Sequence, residues 1–478
     1  MSGICMGVTL KRAGIDSFTI VERSAGVGGT WWDNTYPGAQ CDVRSRLYSF
    51  SFEPKPDWSR VFAPSAEIQA YTEHCVDKYG LRPHLRLNTT LSTARYDAER
   101  AAWQFATAAG ERLEARVFVC SVGPLNRPRW PPGIDAFRGE RLHSARWNAS
   151  FDFRGKRVAL IGSAASAVQL APPLAAAARH LTVFQRTASW ILPRPDRAYT
   201  AAEKALMRVP PFARLSRWWQ YCAHDLRFTG FRGRGLLYRL IVALADRHRR
   251  RQVPDSELRD RLQPRYPMGC KRILITSDFY PALSRPNVTL VSQAAAAFSS
   301  DAVIAADGSR HEVDAIVCAT GFATTALLPD IEVIGAGDAR LTDVAGDSPQ
   351  AYRGVAIAGF PNLFLLLGPN TGSGHTSVLL SIEAQARYVR RCVTELARRP
   401  GESIDVRREV ADAHNRDLQR RLSRMVWTSP GCSSWYKNAA GRVFALYPGH
   451  CTRYLIEMRR PDFRDFRFIR PPPARPRP

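Results

Sequence analysis

The sequence is poor in lysine and has no long apolar run. Only seven of its 68 basic residues are lysine. No apolar stretch reaches the roughly 18 to 20 residues that cross a bilayer. No charged segment followed by an apolar one opens the chain, so nothing indicates a secretion leader. These absences predict a soluble protein of the cytoplasm.

Metal-binding patterns are also missing. The ten cysteines include no CxxC pair and no spacing typical of a metal site. Two of them, Cys120 and Cys318, each end an apolar run of the kind that forms a buried strand. We therefore predict no bound metal, and we expect the cysteines to be reduced thiols of the core.

The basic composition does not indicate a nucleic-acid partner. The formal net charge is +25, but arginine is spread along all 478 residues and no DNA- or RNA-binding motif occurs. A basic surface that attracts an anionic cofactor, or weakly an anionic membrane, explains the charge better. With 45% hydrophobic residues over this length, the chain can form two or three domains. The sequence leaves the oligomeric state open.

The order of apolar segments predicts an α/β fold. Residues 157–161 form a strand-like run, followed by a turn of small residues, a helix and a second strand-like run at 181–184. This order is typical of a doubly wound, dinucleotide-binding unit. A similar unit opens the chain, with a helix near residues 7–14 and a strand at 18–22.

The second unit contains a turn that fits a dinucleotide. The segment Gly162-Ser163-Ala164-Ala165-Ser166-Ala167 directly follows a strand, where a helix N-terminus can meet a pyrophosphate. The next strand ends in Gln185-Arg186-Thr187 rather than in an acid. An acid would hold a free ribose 2′-hydroxyl, whereas an arginine pairs with a 2′-phosphate. The pattern therefore favours NADPH over NADH.

The first unit contains only the end of such a motif. Glu22 stands nineteen residues after Gly3, the spacing at which an acid binds an adenosine ribose. Gly3 can then only be the last glycine of the motif, and the strand and glycines that should precede it fall before Met1. We therefore expect the first strand of this domain to be missing, either through an incomplete gene model or in the protein itself.

Five motifs occur in the order of one known enzyme family. They are Gly28-Gly29-Thr30-Trp31 with Tyr36-Pro37-Gly38, the FxGxxxHxxxW segment from Phe137 to Trp147, Gly269-Cys270-Lys271-Arg272, Ala319-Thr320-Gly321-Phe322, and Gly368-Pro369-Asn370. From Met1 to about Arg460, the chain resembles the class B flavoprotein monooxygenases of the flavin-containing monooxygenase superfamily. Trp147 makes it similar to the Baeyer–Villiger type among them, although Asn148 replaces their usual Pro or Asp.

The resemblance implies a monooxygenase that uses FAD and NADPH, with a ketone and O2 as small-molecule substrates. In such enzymes NADPH reduces FAD, oxygen adds at flavin C4a, and the C4a-peroxyflavin converts the ketone into an ester or lactone. One alternative is an N- or S-oxygenating flavin monooxygenase, which Trp147 and the Lys271-Arg272 pair disfavour. Another is an inactive, flavin-deficient relative, which only the missing strand supports. A disulfide reductase would need a redox cysteine pair, and Cys41 has no neighbouring cysteine in the sequence.

The resemblance also assigns roles to residues. Arg272 would be the catalytic cation that stabilises negative charge, and Asp42 would hold it. The residues expected to bind FAD are Gly3, Glu22, Gly28, Gly29, Thr30, Trp31, Trp32, Asp33, Asp42, Tyr48, Gly321, Pro369 and Asn370. Those expected to bind NADP are Gly162, Ser163, Ser166, Ala167, Arg186, Thr187, Lys271 and Arg272. The fingerprint residues Phe137, Gly139, His143 and Trp147 would couple NADP binding to domain movement.

These assignments define the expected domains of an α/β protein with two Rossmann-like, dinucleotide-binding domains. The FAD-binding domain has its N-terminally truncated first part in residues 1–150 and its second part in 306–460. The NADP-binding domain lies between them at 151–305, with an Arg-rich helical insertion at about 200–265. Residues 461–478, rich in Pro and Arg, are expected to be a disordered tail.

Overall fold

A computed structural model describes residues 1–324 and 326–471 of the chain. The strands of these residues are β1 Ile20–Val21, β2 Leu85–Arg86, β3 Leu91–Asp97, β4 Ala102–Thr107, β5 Arg112–Ala115, β6 Phe118–Cys120, β7 Glu140–His143, β8 Arg157–Ile161, β9 His180–Phe184, β10 Ile191–Leu192, β11 Leu274–Ile275, β12 Val288–Val291, β13 Ala295–Phe298, β14 Ala302–Ala305, β15 Arg310–Glu312, β16 Ala315–Cys318, β17 Glu332–Ile334, β18 Leu363–Leu365, β19 Ser403–Val406 and β20 Phe466–Ile469. The α-helices are α1 Ser2–Lys11, α2 Thr30–Asp33, α3 Ser65–Lys78, α4 Ala165–Ala177, α5 Ala201–Met207, α6 Pro210–Leu226, α7 Leu236–Gln252, α8 Ser256–Arg261, α9 Phe279–Leu283, α10 Leu341–Ala345, α11 Val378–Ala397, α12 Arg408–Leu422 and α13 Cys451–Glu457.

A parallel five-stranded sheet forms the centre of the second dinucleotide unit, in the order β12-β9-β8-β16-β7. Its middle strands are almost wholly apolar because both faces are covered, which is typical of parallel sheets. Helix α4 packs against β8 and β9, and α9 packs against α4. The β-turn-α-β order predicted from the sequence is therefore confirmed, with β8 at the predicted residues.

The sheet extends beyond the domain bounds expected from the sequence. Strand β7 lies before residue 151 and β16 lies after residue 305, yet both pair in this sheet. The fingerprint segment thus supplies an edge strand of the second unit and does not belong to the first. Parallel strands are joined by long crossovers, so the sequence order alone could not show which sheet these two strands enter.

The first unit contains two separate parallel strand pairs, β1 with β2 and β18 with β6. Helix α1 packs on the long helix α11, and a four-stranded sheet in the order β17-β3-β4-β5 lies beside the unit. The helix and strand predicted near the start of the chain are confirmed as α1 and β1. The expectation that this unit lacks its first strand stays a prediction.

The predicted helical insertion is confirmed as α5 to α8 with a 3-10 helix at Arg227–Arg232. It is inserted between β10 and β11, which pair in parallel. No helix among the described residues is both long and apolar enough to cross a membrane.

Two sequence expectations differ from the structure. Cys270 and Cys432 form a disulfide with their Cα atoms 5.5 Å apart, so the expectation of reduced thiols is wrong for this pair. Because the two cysteines are 162 residues apart in the sequence, local cysteine spacing does not indicate the pair. The other eight cysteines are unpaired, and all except Cys222 are buried.

The expected disordered tail is ordered up to residue 471. Strand β20 pairs antiparallel with β19, and its Phe466 is buried against Tyr352. The alternation of Phe and Arg in Phe466-Arg467-Phe468 is the two-residue period of a strand, which the surrounding Pro and Arg residues obscured. Residues 472–478 of the predicted tail lie outside the described residues.

We predict that Phe466→Ala destabilises the protein by about 3 to 5 kcal/mol, because it removes a buried aromatic ring. Ile469→Ala on the same strand is the control, since Ile469 is 37% exposed, and it should cost less than about 1 kcal/mol. Midpoints of thermal unfolding measure both effects. Equal small shifts would show that this segment does not pack as a strand.

Candidate active site

The centre of the candidate site is an ion pair between the two dinucleotide units. Asp42 lies in the loop after α2, and Arg272 lies between α8 and β11. The Nε and Nη2 atoms of Arg272 donate to the two carboxylate oxygens of Asp42 over 2.7 and 2.6 Å. Two parallel bonds fix the guanidinium in one plane as well as in one place. The structure thus brings together the two residues that the sequence predicted as catalytic.

Each residue of the pair keeps the other one ionised. Burial alone would raise the pKa of the Asp42 carboxyl, but the charge and hydrogen bonds of Arg272 outweigh it and hold this pKa below its ordinary value. The Asp42 charge raises the pKa of the Arg272 guanidinium in turn. Arg272 retains 37% side-chain exposure, so part of the guanidinium remains free to meet another group. Arg272 is therefore a cation that Asp42 holds in a fixed orientation and that remains partly exposed.

Tyr436 is a neighbour of this pair that sequence reasoning missed. It is buried, and burial raises the pKa of its phenol to about 12, with the charges of Arg272 and Asp42 as further influences. It is therefore neutral at physiological pH. Periodicity is weak in this part of the sequence, and no motif marked the residue.

A disulfide, a hydrogen bond and close packing hold the loop that contains Arg272. Cys270 is joined to Cys432 by the disulfide, and the Trp427 indole donates to the Gly269 carbonyl over 3.0 Å. Gly269 has a φ of +91° and lies against Phe231 and Val426, where a Cβ would have 3.0 and 3.2 Å contacts. These contacts fix the position from which Arg272 reaches Asp42.

The predicted turn after β8 is a tight glycine turn at the start of α4. Gly162 has a φ of +127°, and a Cβ on it would lie 2.5 Å from the Ala319 carbonyl oxygen. Ser163 donates to the Thr187 carbonyl over 2.8 Å, which joins this turn to the end of the next strand. Ala167 is buried under the turn. No side chain caps the N-terminus of α4, and Ala164 and Ala165 are exposed, so the first backbone amides of the helix are available to an anion.

Arg186, just after the end of β9, and Lys271 are two cations whose charges affect each other. Lys271 lies over the Tyr266 ring, with Nζ 4.8 Å from its centroid. Burial and the neighbouring charge of Arg186 lower the pKa of the Lys271 ammonium. Like charges this close repel each other, and an anionic group between them would remove the repulsion. The charge of Arg186 thus acts on Lys271, and the role of both residues in NADP binding stays a prediction.

Gln169 joins the two units, and no motif in the sequence indicates this role. It accepts a hydrogen bond from the Tyr36 hydroxyl over 2.9 Å and donates to the Gln40 carbonyl over 2.9 Å. Gly38 has a φ of +85° and approaches the Gln169 carbonyl so closely that a Cβ would lie 2.6 Å from it. Helix α4 and the loop that leads to Asp42 are therefore in direct contact.

The loop predicted to bind the flavin forms short helix α2 and its surroundings. The Trp31 indole donates to the Tyr48 hydroxyl over 3.1 Å. Trp32 covers Gly26, where a Cβ would lie within 2.5 Å of the ring. Gly28 has a φ of +130°, Gly29 is the residue before α2, and Thr30 and Asp33 begin and end that helix. These residues lie together, whereas Glu22 at the end of β1 accepts from the Ser24 amide over 2.8 Å.

Three more residues that were predicted to bind FAD are mainly in contact with other residues of the protein. Gly3 is in the first turn of α1, with a hypothetical Cβ 3.5 Å from Ile20. The Asn370 amide group donates to the Val443 and Leu446 carbonyls over 3.0 and 3.1 Å, so its donors are occupied. Pro369 precedes it in the same turn.

The fingerprint residues form the buried end of β7 and its approach. His143 is completely buried, and burial lowers the pKa of its imidazole to about 4. Its Nδ1 accepts from the Ala145 amide over 3.1 Å, which leaves the proton of the neutral ring on Nε2. Phe137 is buried, Gly139 lies against the Asp314 carbonyl, and Trp147 stacks on Phe153. Gly321 lies at the end of β16 beside His143.

Comparisons with known proteins show to which family the chain belongs. The sequence model of the Flavin-binding monooxygenase-like family matches residues 17–209. A Baeyer-Villiger monooxygenase of Streptomyces coelicolor is 40% identical over 476 residues, which cover 99% of this chain and 92% of that protein. A Baeyer-Villiger monooxygenase of Pseudomonas aeruginosa is 40% identical over 457 residues, covering 95% and 87%. This chain is a member of the Baeyer–Villiger monooxygenase family.

Solved structures of the family have the same fold. An oxidized steroid monooxygenase bound to NADP superposes with a TM-score of 0.86 and 29% identity, covering 98% of this chain and 97% of that one. A closed cyclohexanone monooxygenase gives a TM-score of 0.86 with 27% identity over the same shares. Two Rossmann-type domains of a flavin monooxygenase are thereby confirmed for this protein.

We predict that Gly162→Ala lowers stability by about 2 to 3 kcal/mol, because a methyl group there combines backbone strain with a steric clash. The control is Gly308→Ala, whose φ is +85° but whose Cβ would meet nothing within 4 Å. It should cost only about 1 kcal/mol from the backbone alone. Denaturant midpoints compare the two, and equal losses would contradict the close approach to Ala319.

Proposed function

We propose that the protein catalyses Baeyer–Villiger oxidation of a small-molecule ketone to an ester or lactone, with NADPH as reductant, FAD as prosthetic group and O2 as oxygen donor. The observation that carries this proposal is the bidentate Asp42–Arg272 pair at the contact of the two dinucleotide units. Membership in the Baeyer–Villiger family and the NADP-bound relative support it.

The residues present fit NADP. No side chain caps the N-terminus of α4, and the turn before it is tight, since a Cβ on Gly162 would lie 2.5 Å from the Ala319 carbonyl oxygen. Arg186 and Lys271 provide two cations at the end of the neighbouring strand. Together these groups suit a pyrophosphate and a 2′-phosphate. His143 is completely buried at the end of β7, and burial lowers the pKa of its imidazole to about 4, so we assign it a structural role.

The residues around α2 fit a flat aromatic cofactor such as FAD. Gly29 leaves open space before α2, since a Cβ there would meet nothing within 4 Å, and the Trp31 indole is hydrogen-bonded to the Tyr48 hydroxyl beside it. Glu22 at the end of β1 is in the position of a ribose acceptor. Asp42 follows this loop in the chain, which supports a position of the ion pair beside both proposed cofactor sites.

The role of the chain in the reaction is electrostatic. The bound cofactors supply the reducing equivalents and the activated oxygen. Arg272 supplies a permanent positive charge where negative charge develops on oxygen during attack on the ketone. Asp42 prevents the guanidinium from turning away, and because its own pKa is lowered it remains an anion throughout. Burial raises the pKa of the Tyr436 phenol to about 12, so Tyr436 stays protonated beside the pair.

We predict that Arg186→Ala raises the KM for NADPH about ten- to a hundredfold and leaves the KM for NADH nearly unchanged. The reason is that the guanidinium forms a charge-assisted pair with the 2′-phosphate, which NADH lacks. Arg179→Ala is the control, since Arg179 is also exposed and precedes the start of the same strand. Steady-state kinetics with both coenzymes decide. A similar rise for NADH would show that Arg186 does not contact the phosphate.

We predict that Arg272→Ala in FAD-loaded protein lowers ester formation about a hundred- to a thousandfold. NADPH oxidation should continue more slowly, because hydride transfer depends on cofactor placement more than on this charge, and the electrons should leave as hydrogen peroxide. Arg272→Lys, which keeps the charge but loses the two-point bond to Asp42, should recover only part of the ester yield. Ester and peroxide per NADPH consumed are the measurement. An unchanged ester yield in the alanine variant would remove Arg272 from the mechanism and favour oxidation of nitrogen or sulfur.

A further inference from the structure

Helix α6 has its apolar side turned outward. Phe212, Leu215, Trp219 and Leu226 recur at intervals of three, four and seven residues and are all exposed, Leu215 by 60% and Trp219 by 69%. This spacing places them on one face of the helix. Helices of water-soluble domains turn such a face toward the core, so this arrangement is the reverse of the usual one.

The inner side of α6 is polar. Its buried residues are Gln220, His224 and Asp225. Asp225 accepts from the Cys451 amide over 2.6 Å, and His224 Nδ1 lies 3.1 Å from the His375 carbonyl. Arg217 donates to the Arg46 carbonyl over 2.8 Å. These bonds determine the rotation of the helix about its axis, so its outward apolar face is a consequence of the fold.

Helix α7 repeats the pattern. Leu236, Leu240 and Leu244 recur every fourth residue and are exposed, Leu236 by 74%. The 3-10 helix at Arg227–Arg232 packs on both α6 and α7 and joins them. Surface patches of this kind on a soluble domain mark an interaction site. We call the exposed apolar side chains of α6 and α7 the apolar patch.

The charge around the apolar patch is of one sign. Residues 206–252 contain eleven arginines, two aspartates and no lysine or glutamate. Asp225 is engaged with the C-terminal segment, and Asp246 pairs with the buried Arg249 over 3.2 Å. The exposed arginines of this segment are Arg208, Arg214, Arg227, Arg232, Arg234, Arg239, Arg247, Arg250 and Arg251. None of them has a carboxylate of the described residues within 4.0 Å, so their charge is available to an outside partner.

We propose that the apolar patch docks the protein on an anionic lipid surface. Leucine, phenylalanine and tryptophan on one face, with arginine around them, is the composition of helices that lie in the membrane interface. Arginine stems can cover apolar surface while the guanidinium groups reach the lipid phosphates. A second copy of this chain would instead bring two strongly basic surfaces together, which repel. Nucleic acid would satisfy the arginines but would leave the leucines and tryptophans in water.

Flotation of the purified full-length protein with vesicles tests this proposal and does not require activity. We expect binding to vesicles with roughly one-third phosphatidylglycerol, weak binding to pure phosphatidylcholine, and loss of most binding as salt rises well above about 0.1 M. Equal binding to both lipids, or none to either, would overturn the proposal.

Matched variants locate the surface. Leu215→Ser should weaken binding about tenfold, since it removes a leucine from the lipid. Ile456→Ser should have no effect, because Ile456 is also 60% exposed but lies on α13. The double variant Arg239→Glu with Arg247→Glu should weaken binding by more than about tenfold. Its control, Arg112→Glu with Arg416→Glu, reverses two exposed arginines elsewhere. Equal effects of variant and control would show that the apolar patch is not the docking surface.

Two further measurements detect the competing occupants. Analytical ultracentrifugation would show a dimer that Leu215→Ser dissociates if a second copy covers the patch. Titration with a DNA duplex would show binding that the arginine reversals abolish and Leu215→Ser leaves intact if the partner is nucleic acid. Either result would overturn the lipid proposal. Circular dichroism of each variant should match the unaltered protein, since only exposed side chains change.

Discussion

The ion pair between Asp42 and Arg272 is the contact on which the arrangement of the site depends. Its two halves come from loops 230 residues apart, one after the short helix α2 and one after the helical insertion. A guanidinium held by two bonds is not free to rotate, so its remaining N–H groups point in a fixed direction. Each loop must therefore be positioned independently to within the length of a hydrogen bond.

Several contacts supply that positioning. On one side, Gly38 and Gln169 bring the loop of Asp42 against helix α4, whose N-terminus forms the proposed NADP site. On the other side, the disulfide of Cys270 and the Trp427 bond to Gly269 hold the loop of Arg272. The same short segment carries Lys271 toward Arg186. In the proposed site, Lys271 on the NADP side and Arg272 at the ion pair are therefore neighbours in the chain.

The sequence predicted the parts of the fold that depend on local patterns. Strand β8, the turn at Gly162 and the helical insertion follow from periodicity and small residues, and the pairing of Asp42 with Arg272 followed from the family resemblance. It could not predict contacts made between distant segments. The partner of Cys270, the place of β7 in the second sheet and the bridge through Gln169 all depend on which surfaces the folded chain brings together. The ordered structure of residues 463–469 was not predicted for a different reason. The Pro and Arg residues around this short strand have the composition of a disordered segment.

The net charge is a second property whose location in the folded protein could not be predicted from the sequence. A charge of +25 spread along the sequence suggested an anionic cofactor or an anionic membrane, but not where on the protein either would bind. In the folded protein, arginines without counter-charges gather on α6, α7 and the turn between them, where leucines and tryptophans also face outward. The helical periodicity of α6 was visible in the sequence, but periodicity gives only the existence of an apolar face and not its direction. That direction is determined by the polar bonds of His224, Asp225 and Arg217 on the opposite side, and these bonds turn an ordinary amphipathic helix into an interaction surface.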